Sequence, residues 1–176
     1  MIDERLDSKL RALREGFDQS FQIASAADRV DPLDFLALRI AGDPYALRLS
    51  EVASLQVDRR LVPVPSLLPE LLGIAGFRGT LTPVYDLGAL LGYPAGDALK
   101  WLVVAHWPAP IAFAFSGFDA HVRASAGRVS LTAGEASSAV RGAVHDGQNA
   151  LPLLHLPSLV EGIAQRIKAL GLSQER

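Results

Sequence analysis

The sequence predicts an all-β protein of small antiparallel barrels with a helix at either end, and three observations carry that prediction. Nine short runs alternate with period two or are continuously apolar. Clusters of Gly, Pro, Ser and Asp separate them at spacings too short for crossover helices, so the sheets are antiparallel. Helical spacing of apolar residues is confined to the two termini and one short interior piece.

At the N-terminus, Ile2, Leu6, Leu10, Leu13, Phe17 and Phe21 recur at steps of three or four, the stripe of one helical face. Asp3, Glu4 and Asp7 lie near its start and Lys9, Arg11 and Arg14 further on, which suits the helix dipole. The spacing predicts a helix from about residue 3 to 15, extensible to 23, followed by a linker over 24–32. Residues 1–31 therefore read as an amphipathic arm, lying either on its own domain or against a partner helix.

Residues 32–160 form the main domain. Tyr45, Leu47 and Leu49 alternate with Ala46, Arg48 and Ser50, a half-buried strand that pairs with Phe35–Ile40 across the turn Gly42-Asp43-Pro44. Further strands are expected at Val52–Val57, Leu81–Tyr85, Trp101–His106, Ile111–Phe115, His121–Ala124, Val140–His145 and Ala150–Leu154. Pro83 lacks a ladder donor, which predicts an edge position for its strand. Asp86 can cap a short helix, Leu87–Leu91, ended by Gly92. Pro157 opens a terminal helix over 157–176 in which Leu159, Val160, Ile163, Ile167 and Leu170 share a face. The turn-rich seam Gly92–Leu99 divides the β-region into sub-barrels at about 34–92 and 99–156, while Thr132–Ala139 reads as a small polar loop.

Composition removes whole classes of chemistry. With 49% apolar and 20% charged residues the chain can bury a core. A net charge of −2 with scattered Arg argues against nucleic-acid binding. The absence of Cys excludes disulfides, thiolate catalysis and iron–sulfur clusters. No run approaches the roughly 18 apolar residues of a spanning helix and the charged start lacks a signal-peptide pattern. The expectation is a cytoplasmic protein without direct membrane insertion. His106, His121, His145 and His155 form no metal-ligand spacing. No nucleophile elbow surrounds a Ser, and Gly73, Gly76 and Gly79 lack the Lys that follows a phosphate loop. Trp101 and Trp107 read as core or rim packing. No cofactor is expected.

The most informative stretch is Pro63 to Gly92. Pro63, Pro65 and Pro69 oppose a long strand, while Leu67, Leu68, Leu71, Leu72 and Ile74 supply more apolar surface than a loop requires. Gly76, Arg78 and Gly79 predict a turn with Phe77 and Arg78 projecting at its tip. An apolar loop crowned by an aromatic and an Arg has the composition of a binding hot spot. The alternative is that Phe77 is core and Arg78 merely solvated.

Here the sequence resembles the CheW-like chemotaxis coupling proteins, from about Asp34 to Val160. Phe35-Leu36-Ala37-Leu38, Tyr45-Ala46-Leu47 and Val52 are similar to the family's opening hairpin. Pro63-Val64-Pro65, Gly73, Phe77-Arg78-Gly79 and Pro83-Val84-Tyr85-Asp86-Leu87 resemble its central signature, and Val140-Arg141-Gly142 with Leu151-Pro152-Leu153-Leu154 its last strands. The resemblance implies two SH3-like five-stranded barrels packed together, leaving open an exchange of the first strands between lobes. It implies a non-enzymatic adaptor that bridges a chemoreceptor's cytoplasmic tip and the regulatory domain of a CheA-type histidine kinase, in the cytoplasm at membrane-associated receptor arrays. Carried over by position, Phe77, Arg78 and Gly79 belong to the coupling surface and Val52 and Ser54 lie beside the groove that receives partners. Leu72, Ile74 and Leu81 complete the apolar surface. Four positions depart from the family pattern. Ser54 stands where an acidic residue is common, Gly76 where Asn is usual, Ser116 where many relatives have Asp, and His155 where Asp would cap the last helix, leaving Ser158 as the expected cap. A stand-alone module binding a small molecule or peptide between the barrels is the alternative function.

Overall fold

The computed structural model describes residues 32–94, 99–106, 110–132, 139–145 and 149–174. The chain divides into Met1–Pro32 and Leu33–Arg176, and the described residues belong to the second unit but for Pro32. The predicted N-terminal helix and most of its linker lie outside them, as does most of the loop 132–139.

Among the described residues eleven strands form two sheets: β1 Leu33–Ile40, β2 Asp43–Arg48, β3 Val52–Val57, β4 Leu71–Phe77, β5 Thr80–Asp86, β6 Trp101–Ala105, β7 Ala112–Phe115, β8 Gly117–Ala124, β9 Val129–Leu131, β10 Val140–His145 and β11 Ala150–Leu154. Helices α1 (Leu87–Leu90) and α2 (Leu156–Gln174) complete the described elements with two 3₁₀ turns. One sheet has the order β8-β1-β2-β11-β10-β9 and the other β3-β6-β7-β5-β4. The protein is thus mostly β, in two sheets with a C-terminal helix. The sheets are not divided at the Gly92–Leu99 seam. β6 and β7, which follow it, join β3–β5, whereas β1 and β2 pair with β8 and β11 from the far half.

Strand alternation distributes the apolar side chains over three clusters. Leu36, Leu38 and Ile40 of β1 and Leu47 of β2 enter a large cluster together with Tyr85, Val103, Phe113 and Phe115 of the other sheet and Leu156, Leu159, Val160 and Ile163 of α2. Their neighbours in sequence point the other way. Phe35, Ala37 and Ala46 join Val144 and Leu153. Val84, Leu102, Val104, Ala112 and Ala114 join Ala75 and Phe77. A strand buried on both faces reads as an unbroken apolar run, which is why β7 is Ala-Phe-Ala-Phe with its large residues in the large cluster and its alanines in the smaller one.

Two elements depart from expectation. β4 occupies the stretch that its prolines and glycines marked as loop. Pro63, Pro65 and Pro69 all precede it, and Gly73 sits at a bulge with φ +146°, where an added Cβ would lie 2.3 Å from the Val62 carbonyl oxygen. Only Gly fits there. β5 is not an edge strand, since β4 and β7 flank it. Its ladder to β7 begins at Val84, so at Pro83 the strand has a paired neighbour on one side alone and the missing N–H is tolerated.

The ends of α1 and α2 show how polar side chains close the fold. The Asp86 carboxylate accepts the N–H groups of Gly88 and Ala89 at 2.8 and 3.2 Å, an N-cap of the predicted kind. At α2 it is His155, not Ser158, that caps. Its Nδ1 accepts the Ser158 N–H at 3.2 Å, while a Glu51 oxygen accepts the Leu156 N–H at 2.9 Å. Further along, Arg166 donates to the buried Glu70 and ties the helix to the segment before β4. The apolar stripe of α2 is buried only at Leu159, Val160 and Ile163, and Ile167 is 49% exposed. No described helix is long and apolar enough to cross a membrane.

Candidate functional site

The β4–β5 hairpin builds the site. Phe77 pairs with Thr80, leaving a two-residue apex, Arg78-Gly79, with φ +46° and +84°. Two positive φ values are what a type I′ hairpin turn demands, and Gly79 meets that demand without strain. Arg78 does not, because a side chain in the left-handed region costs about 1–2 kcal/mol. Exposed at the apex, Arg78 makes no ion pair among the described residues.

Phe77 does not project beside it. The ring is 7% exposed and packs with Ala75, Val84 and Val104. The expectation of an aromatic at the turn's tip is therefore corrected: strand alternation carries Phe77 inward while the turn carries Arg78 outward. Above the ring stands the Arg59 guanidinium, 5.9 Å from the centroid, held by two hydrogen bonds to Gln56 Oε1 at 3.2 and 3.1 Å.

These groups rim a pocket of about 220 Å³. Ala53, Ser54 and Gln56 of β3 form one wall, Thr80 and Thr82 of β5 the other, with Phe77, Val104 and Pro110 between them and Arg59 and Arg78 at the edge. None of these lining residues is acidic. Thr82 is 1% exposed, and its hydroxyl has no hydrogen-bond partner among the described residues.

The pocket unites Arg78, Phe77 and Ser54 among the residues singled out from sequence, with Gly79 shaping the turn. Ile74 and Leu81 lie on the opposite face of the hairpin by alternation, Ile74 beside Pro83 and Val62, and Leu81 72% exposed. Leu72 is half-buried against the cluster that holds Phe77, and Val52 against the large cluster. Neither lines the pocket. Sequence reasoning missed Gln56, Arg59, Thr80 and Thr82. Thr80 and Thr82 share the face of Phe77 only because Phe77 pairs with Thr80 and Ala75 with Thr82 across the hairpin, and Arg59 and Gln56 carry no local signal.

A second pocket of about 240 Å³ is lined by Arg48, Glu51, Thr132, Arg141 and His155 over Leu131, Leu153 and Leu154. Its groups are engaged in holding α2. Arg141 donates to Ser158 Oγ at 3.1 Å, Ser158 Oγ lies 2.8 Å from His155 Nδ1, and His155 Nε2 stands 4.0 Å from Glu51. Burial pushes the Glu51 carboxyl above its ordinary range, against the opposing pull of the Leu156 N–H, His155 and Arg48. Among the described residues no three His, Asp or Glu side chains converge in a geometry that could hold a metal. His121 instead bonds Asp34 at 2.9 Å; Arg123, and then His121, hold that carboxyl below its usual range.

Comparison with known proteins agrees with this architecture. Residues 34–164 match the model of the CheW-like domain. The crystal structure of the scaffolding protein TtCheW from Thermoanaerobacter tengcongensis superposes with a TM-score of 0.63 at 15% identity, covering 70% of this chain and 89% of that one. Comparison with curated proteins finds no match. The structural likeness extends to the fold, and the family match spans both sheets and the start of α2; on that ground the chain belongs to the CheW-like family, whose members are chemotaxis scaffolds.

Proposed function

We propose that the protein is a non-enzymatic adaptor that couples chemoreceptors to a CheA-type histidine kinase in a chemosensory array, acting in the cytoplasm. In this reading the two sheets are the two SH3-like barrels of residues 32–160. The partners are the receptor's cytoplasmic tip and the kinase's regulatory domain. The coupling surface comprises Arg78, Phe77 and Gly79 with Val52, Ser54, Leu72, Ile74 and Leu81, Phe77 contributing from beneath as the pocket floor. The observation that carries the reading is Arg78 itself. A charged side chain is kept in a strained backbone conformation, exposed and without an ion pair among the described residues, at the rim of a pocket with an apolar floor. Strain kept where no internal contact rewards it points to an external one.

The test is a pull-down with the tagged full-length chain against the CheA-type kinases and chemoreceptor signalling fragments of the same cell. Capture of both by the wild type, and loss of either with Arg78→Glu, supports coupling through this face. Capture of neither contradicts it. The second pocket, with two Arg side chains and a Thr around it, favours a ligand-binding module as the other reading. A rise in melting temperature with small carboxylates or phosphate, lost in Arg48→Ala, would support that one.

A further inference from the structure

We propose that the pocket at the first turn of α2 binds a small organic carboxylate, its head on the Arg48 guanidinium and its short apolar body over Leu131 and Leu153. The ligand class goes beyond the ligand-binding reading on which it rests. It leaves the adaptor reading untouched, because this pocket shares no lining residue with the one at the β4–β5 hairpin.

Arg48 is the anchor. Half-buried at the end of β2, it stacks over the Phe35 ring at 5.7 Å and makes no hydrogen bond or ion pair among the described residues. Its planar fork of N–H donors therefore lines the pocket without a protein acceptor among them. A carboxylate takes such a fork in two parallel bonds. Two neighbours add donors. His155 Nδ1 accepts the Ser158 N–H at 3.2 Å, so the neutral ring keeps its proton on Nε2. The exposed Thr132 hydroxyl stands in the same lining. The remaining polar groups hold the helix: Arg141 donates to Ser158, and Glu51 accepts the Leu156 N–H. The N–H groups of Leu156 and Ser158 are thus already taken, and the ligand's head belongs on the side-chain fork.

Charge and volume select the ligand. Two guanidiniums and one carboxylate line the pocket, which with a neutral His155 leaves a net charge of +1 (two minus one). A monoanion balances that charge, whereas a phosphate dianion exceeds it beside Glu51. The floor is made of the buried Leu153 and Leu154, and Leu131 at the edge is 67% exposed. An acid with an apolar body removes that leucine from water, which an inorganic anion does not. At about 240 Å³ the recess is smaller than the roughly 300 Å³ at which drug-sized ligands begin. The body is accordingly a short alkyl chain or a single aromatic ring. Because His155 and Glu51 also cap α2, an occupied pocket steadies the first turn of that helix.

The test measures the melting temperature of the full-length chain with benzoate, butyrate, benzamide, phosphate or chloride at equal ionic strength, and follows a fluorinated benzoate by fluorine NMR. At about ten times its dissociation constant a ligand lowers the unfolding constant about elevenfold, a rise of roughly 3–6 °C for a domain of this size. Benzoate and butyrate are expected to give that rise, and the fluorinated benzoate to broaden and be displaced by butyrate. Benzamide, phosphate and chloride are expected to leave the melting temperature unchanged. Arg48→Gln should weaken benzoate binding at least about tenfold. Leu131→Ser, at an exposed position where the fold is insensitive, should weaken it about fivefold. No shift with either carboxylate, equal shifts with benzamide or phosphate, or benzoate binding indifferent to both variants would overturn the proposal. Should Arg48→Gln not fold, Leu131→Ser decides alone. A response to phosphate without one to carboxylates keeps the ligand-binding reading and removes this ligand class. Capture of kinase and receptor fragments without any carboxylate response keeps the adaptor and removes the site.

Discussion

Replacing Arg78 by Asn should move stability and binding in opposite directions. The wild-type apex holds a long side chain at φ +46°, a region that costs an ordinary residue about 1–2 kcal/mol. Asn is among the residues that adopt this region most readily, and Asn-Gly is the favoured type I′ pair. The substitution keeps the chain's Cβ, so the entropy cost that Gly would add in the unfolded state does not arise. Because Arg78 has no ion pair among the described residues, little is lost in exchange. The expected gain is about 0.5–1 kcal/mol, read as a rise of roughly 1–4 °C in melting temperature for a domain of this size. Partner affinity should fall by about 2 kcal/mol, which is near thirtyfold, if the guanidinium is a hot spot. Differential scanning calorimetry and titration calorimetry on the same preparation give both numbers. A melting temperature that drops by several degrees would show that Arg78 supports the hairpin from within and that its strain serves the fold.

Three other perturbations test the packing beneath the site. Phe77→Ala empties the floor of the pocket and removes the ring under Arg59, and chemical denaturation should show a loss of about 3 kcal/mol or more; a loss under 1 kcal/mol would mean that the ring is not the core residue described above. Gly142→Ala places a Cβ 2.0 Å from the Ser130 carbonyl oxygen at φ +149° and should cost at least about 3 kcal/mol by the same measurement, whereas the open Gly127 should accept Ala with little effect. Glu51 has a raised pKa in the folded state, burial being the larger cause. The native state therefore holds its proton more tightly than the unfolded chain does. This contribution is present below the unfolded pKa and is lost as pH rises through the folded one. Glu51→Gln should accordingly gain stability relative to wild type at neutral pH, and the gap should close on acidification. A gap that widens as pH falls would reverse the sign of this argument.

What the sequence discloses, and what it withholds, follows from the range of each interaction. The β1–β2 hairpin was legible because alternation in Tyr45–Leu49 is a local pattern, and the Asp86 cap because capping reaches only two or three residues along the chain. β4 was not, because glycines that read as breakers are there for a close approach: the carbonyl of Val62 lies where the Cβ of residue 73 would be, a contact visible only once the strands are paired. The turn-rich seam at Gly92–Leu99 shows the same limit. A turn-rich segment marks a change of direction, but which sheet a strand joins is settled by pairings such as that of Leu36 with His121, 85 positions apart. His155 was judged a poor cap by type. It caps nonetheless, its Nδ1 accepting the Ser158 N–H, while Glu51, 105 positions away in sequence, takes the Leu156 N–H, a long-range arrangement. Of the site, the Arg78-Gly79 turn was read from sequence and the pocket was not. Ser54, Gln56, Thr82 and Val104 meet through sheet register, and the inward turn of Phe77 follows from counting back from a two-residue apex whose length the sequence did not reveal.

The claim on which the account turns is that the exposed arginine at the hairpin apex is kept for another protein. Titration calorimetry of the purified regulatory domain of the cell's own CheA-type kinase into wild type and into Arg78→Glu, with both chains shown folded by circular dichroism, tests it most directly. The account predicts a modest, salt-sensitive affinity for wild type and a loss of about 2 kcal/mol or more for the charge reversal. Equal affinities for the two folded proteins would contradict it.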